Sequence, residues 1–158
     1  MGQALHKRLM SDKFDGSFHE AILNIWVTSS YARGLYEDIF EGAELTFTQY
    51  NVLRILSGAF PNGYSRADLI RRMLDRAPDL TRLIDRLVKR GLVQRLKSEK
   101  DGRQSVARIT ARGKHLLSLM HPKVRAVELA FSRRLTEAEA LEMSRLCEKI
   151  YGVAIPED

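Results

Sequence analysis

At 158 residues, 44% of them hydrophobic and 29% charged, the chain has the composition of a soluble globular protein with its own core; a disordered polymer or a second full domain is not expected. No apolar run approaches the roughly 20 residues needed to cross a bilayer, and the opening MGQALHKRLM has no long apolar stretch before a small-residue cleavage site, so a cytoplasmic location is expected. The single cysteine, Cys147, excludes an internal disulfide and a multi-cysteine metal cluster. The net charge of +6 is concentrated, because residues 64–114 hold 15 Lys and Arg against 6 Asp and Glu and the remainder is net acidic. Phosphate neutralisation by such a segment releases condensed counterions and favours polyanion binding; a solvated charged face is the alternative reading of charge alone.

In chain order, Phe18, Ile22, Ile25, Ser29, Ala32, Tyr36 and Ile39 recur at steps of three and four and predict a long amphipathic helix over 17–40. Trp26 and Phe40 widen its apolar face beyond what one small domain needs to cover. Thr46-Phe47-Thr48-Gln49 carries a capping-box pattern for a second helix, which ends in the turn cluster Phe60-Pro61-Asn62-Gly63. A short third helix is predicted from Ser65, with Asp68 three residues on. Pro78 fits the first position of a fourth, whose inward stripe is Leu80, Leu83, Ile84, Leu87 and Val88 and whose stop is Gly91. Asp79, Thr81, Arg82, Asp85, Arg86 and Lys89 remain on its outer face.

The period then changes to two. Residues 92–97 and 104–109 alternate apolar and polar side chains around Ser98-Glu99-Lys100-Asp101-Gly102-Arg103, the pattern of a hairpin. Thr110 opens another helix with Leu116, Leu117, Met120 and Val124 on its apolar face, which Pro122 is expected to kink or break. A last helix starts at Thr136, with Glu139 as capping partner, and places Leu141, Leu146, Cys147 and Ile150 in a stripe; Cys147 is expected to be a buried, inert thiol.

Two short helices, a tight turn and a basic hairpin follow the order of a winged helix-turn-helix. The segments Leu45–Leu53 (LTFTQYNVL), Leu80–Val93 (LTRLIDRLVKRGLV), Asp101-Gly102-Arg103 and Ile109–Gly113 (ITARG) resemble the MarR family of bacterial and archaeal regulators. That resemblance spans about residues 18–150. It implies a mainly α fold with a small β-hairpin wing, organised as one domain over 1–158. Within it, 45–113 would form the DNA-binding winged helix-turn-helix, and 17–40 with 114–151 the dimerisation helices. It further implies a homodimeric repressor on a pseudo-palindromic double-stranded operator, with residues 78–90 in the major groove and the wing on the flanking minor groove. The DNA-binding candidates are Ser65, Thr81, Arg82, Asp85, Arg86, Lys89, Lys100, Asp101 and Arg103. Arg103 would be the wing arginine, drawn by the negative potential of a narrow minor groove, and Asp101 its orienting carboxylate or a turn-forming aspartate before Gly102.

The resemblance also implies release from DNA by a small aromatic or phenolic effector. Trp26, Tyr31, Tyr36 and Phe40 are the candidate lining, although aromatics at helical spacing also serve as core or dimer interface. His6, His19, His115 and His121 show no zinc-ligand spacing, and neither a metal nor a cofactor is expected. No Gly-rich phosphate loop or nucleophile elbow is present, so the chain is not read as an enzyme. The competing reading is a winged-helix protein-interaction module whose basic charge serves solubility alone.

Overall fold

The structure, a computed structural model, describes residues 2–11, 13–75, 79–97 and 105–152. The chain divides into two compact units, residues 1–117 and 118–158. The first contains α1 (Gln3–Leu9), α2 (Ser17–Gly42), α3 (Phe47–Gly58), β1 (Tyr64–Ser65), α4 (Arg66–Arg72), α5 (Leu80–Lys89), β2 (Val93–Lys97) and β3 (Ser105–Ile109). The helix α6 (Ala111–Ser132) begins in the first unit and continues into the second, which also holds α7 (Glu137–Tyr151).

The helix starts are the ones the capping residues specify. Thr46 Oγ1 accepts from the Gln49 amide while Gln49 Oε1 accepts from the Thr46 amide, and Thr136 with Glu139 repeats the arrangement at α7. Each box satisfies two amides that a helix start otherwise leaves unpaired. Ser65 Oγ accepts from the Asp68 amide and donates to Asp68 Oδ2 at 2.6 Å. That hydroxyl, ahead of the guanidinium groups of Arg71 and Arg72, holds the Asp68 carboxyl below its ordinary range against a smaller opposing effect of burial.

The core of the first unit follows the inward stripes. Val52, Leu53 and Leu56 of α3, Leu69 of α4, Leu80, Ile84 and Leu87 of α5, and Leu92, Val93, Ala107 and Ile109 of the hairpin are all buried. Burying a side chain of this kind contributes about 1.5–3 kcal/mol. The helices α3, α4 and α5 pack in sequence, with α3 and α4 against β3 and α5 against β2. The sheet has three antiparallel strands in the order β1-β3-β2, one more than the expected hairpin. Tyr64 pairs with Ala107 and Ser65 with Val106. Gly63 makes this close approach practicable, since a Cβ there would lie 2.3 Å from the Ala107 carbonyl oxygen and φ is +82°.

Where α5 ends, Gly91 adopts φ +69°. Its amide donates to Val88 O at 2.8 Å and the Leu92 amide to Leu87 O at 3.0 Å, the paired bonds of a Schellman stop. The following helix is fastened to this stop. Thr110 donates from its amide to Leu92 O and from Oγ1 to Gly91 O, while the Gly113 amide donates to Thr110 Oγ1. A Cβ at Gly113 would stand 2.3 Å from Leu92 O and 2.7 Å from Ile109 Cγ1.

Three expectations change. The fourth helix starts one residue past its cap Asp79, whose carboxylate accepts from the Arg82 amide; Pro78 lies outside the described residues. Pro122 does not break its helix, because α6 runs unbroken from Ala111 to Ser132 with the proline inside it. A proline removes one donor from the ladder, and the long helix tolerates that loss. Cys147 is exposed rather than buried, as are Leu141, Leu146 and Ile150 on α7.

Two stability outcomes follow. Gly113→Ala must displace the backbone of Leu92, and urea unfolding should show a loss of about 1–3 kcal/mol; an unchanged midpoint would mean that the junction is not close-packed. Ser65→Ala should cost about 0.5–2 kcal/mol at neutral pH through the lost cap. It should also change the acid limb. A carboxylate whose folded pKa is depressed contributes stability above its unfolded pKa and loses it as pH falls through the folded value. Without the Ser65 hydroxyl that window moves up, so acid unfolding followed by circular dichroism should begin at a higher pH than in the parent.

Candidate nucleic-acid interface

The outward face of α5 is set by its inward one. With Leu80, Ile84 and Leu87 in the core, a 3.6-residue period turns Thr81, Arg82, Asp85, Arg86 and Lys89 to solvent, and all five are exposed. The face is not uniformly free. Arg82 Nε lies 3.1 Å from Asp79 Oδ2, so the capping carboxylate also steers the arginine at the first turn. Asp85 Oδ1 accepts from Arg95 Nη2 at 2.6 Å, an ion pair from α5 to β2. Thr81, Arg86 and Lys89 make no ion pair among the described residues.

The described carboxylates of the basic segment are used up in the same way. Asp68 pairs with Arg71 and Arg72, Asp75 with Arg33, Asp79 with Arg82 and Asp85 with Arg95. These are half-exposed pairs, each contributing at most about 1 kcal/mol, and their larger effect is to orient the arginines. Arg66 at the start of α4 and Lys97 on β2 are exposed and extend the basic surface on either side of α5.

The residues on either side of α5 are tied to α2, to α3 and to the turn between them. Arg33 Nη2 donates to both oxygens of Asp75 at 3.2 and 3.0 Å, and Asn51 Oδ1 accepts from the Leu74 amide, so residues 74 and 75 are held on the approach to α5. Past its last residue, Arg90 donates through Nη2 to Ala43 O at 3.1 Å and through Nη1 to Glu44 O, with the Glu44 carboxylate 3.6 Å away. On the far side of the sheet, Arg108 donates to Pro61 O and the Lys114 ammonium sits 4.0 Å from the centre of the Phe60 ring.

The candidates from sequence are distributed as follows. Thr81, Arg82, Asp85, Arg86 and Lys89 share one face of α5. Ser65 caps α4, with its hydroxyl engaged by Asp68. Lys100, Asp101 and Arg103 lie outside the described residues. Arg95 and Arg90 were not singled out from sequence. Arg95 pairs across the turn between α5 and β2, and its one available signal is its alternation with Lys97 along the strand; Arg90, next to the Gly91 stop, has the sequence signal of a cation at a helix end and no more.

A hollow of about 490 Å³ lies between the end of α2 and the start of α3, with Phe40, Leu45 and Phe47 as its apolar lining and Arg33, Glu37 and Glu41 as its charged lining. Of the aromatic candidates for an effector pocket, Phe40 lines it and Tyr36 stacks on Phe40, ring centres 5.6 Å apart. Trp26 and Tyr31 stand exposed on α2 and are not part of the lining. No group of three or more metal-ligating side chains occurs among the described residues.

A family model described as the MarR family matches residues 43–104. The HTH-type transcriptional repressor Rv2887 of Mycobacterium tuberculosis is 32% identical over 106 residues, 67% of this chain and 75% of its own length. A MarR transcription factor of known crystal structure from Planctomyces limnophilus is 36% identical, with a TM-score of 0.65 over 86% of this chain and 98% of that one. CouR from Rhodococcus jostii RHA1, solved with p-coumaroyl-CoA bound, superposes with a TM-score of 0.72 at 18% identity, covering 92% and 99% of the two chains, which shows a common fold. By its identity to the repressor and to the planctomycete factor, and by the winged helix-turn-helix described above, this chain belongs to the MarR family of DNA-binding transcriptional regulators.

Proposed function

We propose that the protein is a homodimeric repressor of a pseudo-palindromic operator, with the outer face of α5 in the major groove and the wing formed by β2, β3 and their connecting residues on the minor groove. The observation that supports this best is the exposed row of Thr81, Arg82, Arg86 and Lys89 on a helix whose neighbouring carboxylates, among the described residues, are engaged by arginines. Arginine pairs bidentately with guanine O6 and N7, threonine reaches base edges or phosphate, and lysine neutralises phosphate. In this reading Asp85 acts through Arg95, holding the base of the wing against α5, and Ser65 acts through its cap. Lys100, Asp101 and Arg103 keep the wing-tip roles that the sequence resemblance implies.

The apolar residues left exposed on α2 and α7 supply the dimer surface. Phe18, Ile22, Ile25 and Trp26 on one helix, and Leu141, Leu146 and Ile150 on the other, are between 44% and 86% exposed in the single chain, a density of large apolar side chains that soluble monomers rarely carry. Residues 17–40 and 114–151 accordingly serve as the dimerisation part and 45–113 as the DNA-binding part. Among the described residues no helix is long and apolar enough to cross a membrane, in keeping with a regulator working in the cytoplasm. The reading assigns the chain no catalytic step.

Release of the operator by a small molecule completes the proposal. CouR is a relative in fold solved with an aromatic thioester ligand, and in this chain the hollow beside Arg33 offers an entry point. Its Arg33–Asp75 contact joins that hollow to the residues leading into α5, so a ligand that disturbs Arg33 acts on the orientation of the reading helix.

In a salt-titrated assay against genomic fragments, one fragment should bind far more tightly than random duplex, with log affinity falling steeply against log salt. Arg86→Ala, or Arg103→Ala, should weaken that complex by about 1–3 kcal/mol at fixed salt. Equal affinity for all fragments, or no salt dependence, would point instead to a protein-interaction module. Light scattering should give twice the 18.1 kDa of one chain. Leu146→Glu with Ile150→Glu should return the monomer mass and abolish the two-half-site complex; a parent protein that is monomeric at working concentration would end the dimer model.

A further inference from the structure

We infer that the hollow between α2 and α3 takes a cationic aromatic molecule rather than an aromatic anion, and that this cation is the releasing effector; the inference rests on the effector reading above. The hollow's volume, about 490 Å³, is that of a small-molecule site, which commonly measures about 300–1,000 Å³. Phe40 and Phe47 meet edge to face with ring centres 5.8 Å apart, and one cation is already seated on this cluster: the Arg33 guanidinium lies 5.3 Å from the centre of Phe47. The negative face of an aromatic ring attracts a cation at this range, so the lining is of a kind that receives positive charge.

The ionised side chains point the same way. Glu37 and Glu41, one helical turn apart on α2, both line the hollow, and neither has an ion-pair partner among the described residues. Arg33, the one cation of the lining among the described residues, is held by both oxygens of Asp75. An aromatic carboxylate would have to take Arg33 from Asp75 while sitting beside two carboxylates. An aromatic ammonium is attracted by both carboxylates, and the group it displaces is the Arg33 guanidinium that already lies over the Phe47 ring. The helix ends do not reverse this preference, although the carboxyl end of α2 and the amino end of α3 both border the hollow. Phe40 O already accepts from the amides of Ala43 and Leu45, the Thr46–Gln49 box takes the amides of Thr46 and Gln49, and the partial charge of the remaining amides at the start of α3 is smaller than the two full charges of Glu37 and Glu41.

A cation over Phe47 competes with Arg33 for the same ring and repels it. Arg33 is then drawn off Asp75, and residues 74 and 75 lose one of the two side-chain ties described for them. Ligand binding and operator binding thereby oppose each other, and by linkage each weakens the other by the same factor.

The test is calorimetry on the full-length protein with benzyltrimethylammonium and tetraphenylphosphonium as cations and benzoate and salicylate as anions, followed by operator release with the same four compounds. At least one cation should bind more tightly than either anion and release the operator. Glu37→Gln with Glu41→Gln should weaken cation binding tenfold or more at unchanged melting temperature. Glu41→Lys, which alters a single exposed residue, should also exclude the cations and separates a charge effect from damage to the fold. Tighter binding and release by the anions would overturn the cationic class while leaving effector release standing. Cation binding undiminished in both variants would place the ligand elsewhere, and binding by none of the four would remove this hollow as the effector site, with operator affinity in the absence of ligand reporting separately on DNA recognition.

Discussion

The two peptide units of Gly91 and Leu92 carry the junction on which the reading surface depends. Their amides close the end of α5, their carbonyls receive Thr110, and the space beside the Leu92 carbonyl is small enough that Gly113 must lack a side chain. Three elements therefore share one backbone corner: α5, β2 and the start of α6. The positive φ at Gly91 costs a glycine almost nothing and other residues considerably more, so the direction in which the wing leaves α5 is a property of the backbone. Arg95 with Asp85 then fixes from outside the same angle that the corner fixes from within.

This division of labour accounts for the charge distribution. A basic segment binds phosphate best when its cations are free, but arginines are flexible, and ordering one on binding costs about 2 kcal/mol of rotamer freedom. Placing Asp79 at the cap of α5 lets one carboxylate close the helix start and hold Arg82. Asp85 holds Arg95, and Asp68 closes α4 while holding Arg71 and Arg72. The acids in the segment thus lower its net charge by a few units and in return pre-order the arginines beside them. Arg86 and Lys89, outside these pairs, keep full charge at the centre and end of the exposed face.

The sequence disclosed those features that are local. Thr46 with Gln49, Thr136 with Glu139, and Gly91 after Lys89-Arg90 act within four residues of themselves, and each helix terminus they predict is found. Contacts that depend on chain reversal were not readable in this way. The strand β1 is two residues long, too short for an alternating pattern, and it exists because Gly63 lets it approach β3. The helix α1 has seven residues and no side-chain cap, so neither period nor punctuation marks it. Arg95 and Arg90 find partners ten and about 46 residues away, and the Arg33–Asp75 pair spans 42. The error over Cys147 has a different origin. An apolar stripe was read as a buried one, and periodicity says which residues of α7 want to be covered without saying whether the covering surface belongs to the same chain.

That last distinction bears on how the molecule can be regulated. If the exposed faces of α2 and α7 meet a second copy, α2 and the turn after it belong at once to the dimer and, through Arg33 and Arg90, to the residues on either side of α5. Arg33 holds the approach to α5 through Asp75, and Arg90 holds its exit through the carbonyls of Ala43 and Glu44. Individually these surface contacts are weak, and weakness is what a switch requires, since a ligand can shift an equilibrium only by its differential affinity for the two states. Two half-sites a helical turn apart demand that both copies of α5 keep their spacing and tilt. In the proposed dimer, a change of orientation too small to unfold anything is then enough to lose one half-site, and the contacts of Arg33 and Arg90 on either side of α5 are where such a change can be made.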